Sequence, residues 1–123
     1  MTQMTFLPMT PMDMVKEFKK TSGQKPTEEL GITLIKEEYF EWREEVIQRP
    51  PNYIDELKEL SDLVYVIYGY ADTMGWDLDE AVRRVHENNM GRMRQPDGTI
   101  KRREDGKIVK NPDYPKVDLG DLV

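Results

Sequence analysis

Two short carboxylate patterns stand out in this chain: Glu37-Glu38-x-x-Glu41 and, eighteen residues after it, Glu59-x-x-Asp62. Carboxylates three or four apart lie on one face of a helix. Four of them brought within a few ångströms cannot all ionise unless cations are present. With no cysteine in the sequence, thiolate nucleophiles and zinc-thiolate sites are excluded and any metal must be held by oxygen. Oxygen ligands select a hard ion, Mg²⁺ first, with Mn²⁺ as a substitute.

The elements around these residues decide whether they can meet. Pro26 and Thr27 open a helix expected to reach Gln48, with Ile35, Tyr39, Trp42 and Val46 on its apolar side. Pro50 and Pro51 stop it. Asn52 and Asp55 then form a capping arrangement for a helix to about Met74, ended by Gly75. On that helix Leu57, Leu60, Val64, Ile67, Ala71 and Met74 make one apolar stripe, and Leu63, Val66 and Tyr70 make a second beside it. Most of the helix is therefore expected to be buried.

At about 100° per residue, Glu59 projects into the second apolar sector and Asp62 lies about 60° to its side. A bare charge there shifts its pKa or costs several kcal/mol, so something must compensate it. Glu38 and Glu41 border the core of the preceding helix. Glu41 lies seven residues before Gln48 and Asp62 seven after Asp55, which puts both about 10 Å from the connecting loop on antiparallel helices. Glu38, Glu41, Glu59 and Asp62 are thus expected to converge, whereas Glu44, Glu45 and Glu56 read as a solvated face.

Outside this pair, Asp13 is expected to cap a helix to about Thr21, after a loosely held lead-in over residues 1–12, and a fourth helix runs from Asp77 to about Met90. Asp97-Gly98 and Asp105-Gly106 flank a short run, which reads as a β-hairpin within a C-terminal arm of residues 91–123. The fold class expected is all-α, a four-helix bundle with a helical core over residues 13–90. At 123 residues the chain suits one domain.

Hydrophobic residues make up 37% and charged residues 34%, a polar balance that suits a helical protomer completing its core in an oligomer. No stretch approaches the ~20 apolar residues that cross a bilayer, and Met1 to Phe18 lacks a basic segment leading into an apolar run. A soluble, cytoplasmic protein is expected. The net charge of −6 argues against binding a nucleic acid polymer, since such affinity comes from neutralising many phosphates. Residues 26–91 carry 16 acidic and 6 basic side chains, while residues 92–116 carry 4 acidic and 8 basic. An acidic body with a basic tail could hold a metal and a phosphate together.

The two carboxylate patterns resemble the paired EExxE and ExxD signature of the all-α nucleoside triphosphate pyrophosphohydrolases, which include MazG proteins, phosphoribosyl-ATP pyrophosphohydrolase and dimeric dUTPases. VKEFKKTSGQKP before them, and LDEAVRRVHENNMGRM and DGTIKRREDGKIVKNPDY after them, are similar to phosphoribosyl-ATP pyrophosphohydrolase-like proteins of phages and bacteria. The resemblance spans Met14 to Leu119. It implies a MazG-like bundle and Mg²⁺-dependent hydrolysis of a nucleoside triphosphate to the monophosphate and pyrophosphate. It also implies metal ligation by Glu38, Glu41, Glu59 and Asp62, with Glu37 positioning a second ion or the attacking water, and a homodimer or homotetramer. Asn89 and Arg92 stand where the family has an Asn and a Lys, which implies nucleotide contact; Arg keeps the charge and changes the geometry.

Lys101, Lys107 and Lys110, with Arg102 and Arg103, either reach phosphates or keep a hairpin edge soluble. His86, the only histidine, reads as a packed residue rather than a base, and Trp42 as core or subunit interface rather than a base-stacking platform. The alternative to an enzyme is a non-catalytic helical oligomerisation or nucleotide-sensing adaptor. That alternative accounts for the apolar stripes but not for carboxylates placed within them.

Overall fold

The computed structural model describes residues 8–123. The expected lead-in lies outside these residues as far as position 7. Helix α1 spans Pro11–Ser22 and begins earlier than Asp13 implied, because Thr10 is the cap. Asp13 N–H donates to Thr10 Oγ1 at 3.2 Å while Thr10 N–H donates to Asp13 Oδ2 at 3.0 Å, a reciprocal capping box with Pro11 in the first turn. Helix α2, Glu28–Val46, is capped by Thr27, whose Oγ1 accepts from Leu30 N–H at 3.1 Å. It stops short of Gln48. Helix α3, Tyr53–Thr73, is capped by Asn52 through Asp55 N–H at 3.1 Å, and Gly75 turns the chain after it at φ 76°. Helix α4 spans Leu78–Arg92.

The chain forms two compact units, Met1–Leu78 and Asp79–Val123. In the first, α2 and α3 lie along each other, and α1 packs on α3. Gly31 faces Tyr70 while Glu41 meets Glu59, so the register is antiparallel about the 47–52 connection. Met12, Val15 and Ala71 form the buried core, with Tyr68, Trp76 and Leu78 packed on it. Lys19 ties α1 to the end of α3: its Nζ donates to Gly69 O at 2.8 Å, Asp72 Oδ2 at 2.9 Å and Thr73 Oγ1 at 3.2 Å. Burial would raise the Asp72 carboxyl, but Lys19 and Lys16 beside it hold it below its ordinary value.

The burial expected along α3 is not met within one chain. Of the residues on that helix only Ala71 is buried, and Leu57, at 63% exposure, leads a stripe continued by Leu60, Val64 and Ile67 that faces outward. Three helices cannot cover both of its apolar sectors. No described helix is long and apolar enough to cross a membrane.

In the second unit the expected β-hairpin reduces to one isolated bridge, Arg102 with Ile108, flanked by Val109 N–H to Lys101 O at 2.8 Å. The turn at Asp105-Gly106 forms, with Gly106 at φ 91°, but the flanking run Lys101-Arg102-Arg103-Glu104 has no apolar face with which to extend a ladder. Residues 111–123 are an ordered arm rather than a free tail. Arg84 pairs with Asp121 at 2.6 and 2.9 Å, Asn88 Nδ2 donates to Pro115 O at 2.8 Å, and the arm ends in a 3-10 turn, Gly120–Leu122.

Candidate metal centre

Glu38 and Glu41 project from α2 on successive turns, and Glu59 projects from α3 opposite them. One carboxylate oxygen from each of the three lies within 4.8 Å of the others. Asp62, one turn further along α3, is drawn into an ion pair with Lys58 at 2.6 Å, and Lys58 also stands 3.6 Å from Glu59. The Glu59 side chain is only 18% exposed.

The electrostatics follow from this crowding. Burial, hydrogen bonding with Glu41 and the negative charges of Glu41, Asp62 and Glu59 push the Glu38 carboxyl up to about 7. Glu59 is likewise raised, first by burial and then, against the pull of Lys58, by Glu41 and Asp62. Glu38 Oε2 and Glu59 Oε2 are buried with no hydrogen-bond partner among the described residues. Such oxygens are costly unless a cation meets them. Three carboxylates this close, two of which also bury a partnerless oxygen, fit the donor chemistry of a hard divalent ion.

The other residues singled out in the sequence lie elsewhere on the chain. Glu37 is exposed on α2, outside the group of three. Asn89, Arg92, Lys101, Lys107 and Lys110 belong to the second unit. Asn89 and the three lysines are exposed, whereas Arg92 is half-buried, its Nε without a partner and one terminal nitrogen 3.5 Å from Asn88 Oδ1. His86 is exposed rather than packed, and Trp42 is half-buried beside Tyr39 at 6.0 Å between ring centres. Sequence reasoning missed Lys58, though its place four residues before Asp62 was the signal for an ion pair.

The four helices, with carboxylates gathered on the antiparallel α2–α3 pair, match the MazG-like fold. The chain belongs to the phosphoribosyl-ATP pyrophosphohydrolase family, whose profile matches residues 12–89, and it is an enzyme of the pyrophosphohydrolase class rather than an adaptor. Among solved structures it is similar to the cyanophage S-2L MazG-like pyrophosphohydrolase, described as bound to dGDP and three catalytic Mn²⁺ ions per active site. The two share 17% identity with a TM-score of 0.55, over 87% of this chain and 97% of that one. No curated protein matches the chain at comparable significance.

Proposed function

We propose that this enzyme hydrolyses a nucleoside triphosphate to the monophosphate and pyrophosphate, using Mg²⁺, or Mn²⁺ in its place, held by Glu38, Glu41, Glu59 and Asp62. The observation that carries this reading is the pair of buried, partnerless oxygens on Glu38 and Glu59, side chains from two different helices that belong to one carboxylate cluster. The Mn²⁺ ions and nucleotide of the cyanophage protein support the same chemistry. A bound divalent ion would neutralise phosphate charge and lower the pKa of a coordinated water.

The chain's own part is orientation. Glu38 and Glu41 are carried by α2 and Glu59 by α3, so the packing of the two helices brings the three carboxylates together. Lys58 holds Asp62 until a stronger cation competes for it. Glu37 helps position a second ion or the attacking water. In the second unit, Asn89, Arg92, Lys101, Lys107 and Lys110 have the chemistry to contact phosphate oxygens.

The enzyme is proposed to act in the cytoplasm as a homodimer or a dimer of dimers. The outward stripe Leu57, Leu60, Val64 and Ile67 supports association, as a folded monomer would leave it in water. A screen for pyrophosphate release over common and modified NTPs and dNTPs, with Mg²⁺ or Mn²⁺, tests the function. Release from at least one nucleotide, dependent on the ion, is expected; no release from any by the folded protein would overturn the reading.

A further inference from the structure

Between α1, α2 and α3 lies a cavity of about 310 Å³, walled chiefly by Phe18, Leu34, Tyr65, Val66, Gly69 and Tyr70. That volume is at the lower end of small-molecule pockets. Its walls are mostly aromatic and aliphatic, with Gln24 and Thr73 as uncharged polar side chains on the lining. Lys19, the one cation among the described residues of its lining, is already engaged by Gly69, Asp72 and Thr73. The cavity therefore suits a flat, uncharged group. It also adjoins the carboxylates, since Leu34 lies one helical turn before Glu38 on α2 and Val66 one turn after Asp62 on α3.

Two glycines shape it, for different reasons. A Cβ on Gly31 would meet Tyr70 Cδ2 at 2.7 Å, so Gly31 is required by the packing of α2 on α3. Gly69 has no such requirement. Its φ is not positive, and a Cβ built there meets nothing within 4 Å. A glycine inside a helix costs roughly 0.5–1 kcal/mol relative to alanine, which neither backbone nor packing explains here. What the missing side chain preserves is the space beside it.

We propose that this cavity receives the nucleobase of the substrate and that Gly69 is a specificity-determining residue, keeping open the room the base occupies. The proposal rests on the triphosphate reading above, in which the phosphates meet a divalent ion held by Glu38 and Asp62, each one helical turn from the cavity wall. The edge-to-face pair of Phe18 and Tyr65, with ring centres 6.0 Å apart, supplies aromatic surface for the base.

The test is calorimetric titration with Mg²⁺ present, using an α,β-methylene deoxynucleoside triphosphate and, separately, inorganic tripolyphosphate, which has no base. The wild type should bind the nucleotide at least about tenfold more tightly than tripolyphosphate. Gly69→Leu, which fills the space, should weaken nucleotide binding by at least about 10–200-fold, the range that a single methylene commands in a hydrophobic pocket, and leave tripolyphosphate binding unchanged. Gly69→Ala folds without a clash and should weaken nucleotide binding by a smaller factor, so it decides the matter if the leucine variant does not fold. Equal affinity of the wild type for the two probes, or unaltered nucleotide affinity in the variants, would overturn the base pocket while leaving the metal and phosphate site standing. Binding of neither probe by the wild type would overturn both.

Discussion

Glu38 on α2 and Glu59 on α3 each bury an Oε2 for which no described residue provides a hydrogen-bond partner, although both side chains belong to one cluster of carboxylates. A cation resolves that arrangement. Asp62→Asn and Glu59→Gln keep side-chain size and remove charge, so each should cut turnover at least about 10–100-fold by displacing the ion and the water it orients. In EDTA the same variants should melt at or above the wild-type temperature, because they relieve repulsion. Thermal melts with and without Mg²⁺ check this: the ion should stabilise the wild type more than either variant.

The raised carboxyl of Glu38 makes the metal-free protein sensitive to pH. Its folded value, about 7, lies above the ordinary 4.5, so the folded state holds the proton more tightly than the unfolded one. Stability from this group is fully present below about 4.5 and is lost as the pH rises toward 7. Urea denaturation in EDTA should show it. Added Mg²⁺ should recover more stability at the upper end of this range than at the lower end. A metal-free stability that rises across the window in the wild type, and equally in Glu38→Gln, would count against the crowded site.

How far all this was legible from the sequence varies by element. The Asn52 cap and the count of residues from the α2–α3 connection set Glu41 level with Asp62, since helix rise is fixed by backbone geometry, whereas the carboxylates that gather are Glu38, Glu41 and Glu59, one turn nearer the connection on α3, with Asp62 paired to Lys58. The α1 start was readable too, because Thr10-Pro11-Met12-Asp13 carries a capping box, but Asp13 is itself a good cap and competes for the assignment. The arm was harder. Turn residues mark where a chain reverses and do not say whether enough apolar surface exists to extend a ladder, and at Arg102 and Ile108 it does not. The hold of Arg84 on Asp121 spans 37 positions and leaves no local pattern. The exposed stripe on α3 shows a further limit: apolar periodicity marks a face to be covered, not what covers it.

Lys19→Met should test the tie between α1 and α3. The substitution keeps the aliphatic stem but removes three hydrogen bonds, leaving Gly69 O and Thr73 Oγ1 without this donor and Asp72 with Lys16 alone. Equilibrium unfolding should show a loss of about 1–3 kcal/mol. An unchanged midpoint would mean that the clasp contributes nothing net.

Gly91→Ala should loosen the C-terminal arm. A Cβ at Gly91 would stand 2.3 Å from Tyr114 Cζ and Oη, so the ring must move, at about 1–3 kcal/mol for overpacking. Hydrogen exchange should rise over residues 111–123, where Asn111 N–H donates to Arg92 O and Asn88 holds Pro115. Unaltered protection there would place the arm's stability elsewhere.

Sedimentation should find the wild type as a dimer or a dimer of dimers, because Leu57, Leu60, Val64 and Ile67 are too large an apolar stripe to leave in water. Val64→Glu should shift it toward smaller species. A stable folded wild-type monomer at micromolar concentration would rule the association out.

The central claim is that Glu38, Glu41, Glu59 and Asp62 hold the divalent ion on which pyrophosphate release depends, and the most direct measurement is pyrophosphate release by wild type, Glu59→Gln and Asp62→Asn. It should be made with saturating nucleoside triphosphate in Mg²⁺, in Mn²⁺ and in EDTA. Turnover should appear with either ion in the wild type, vanish in EDTA and largely vanish in both variants while far-UV circular dichroism remains helical. Turnover that persists in EDTA, or near wild-type rates in both variants, would contradict it.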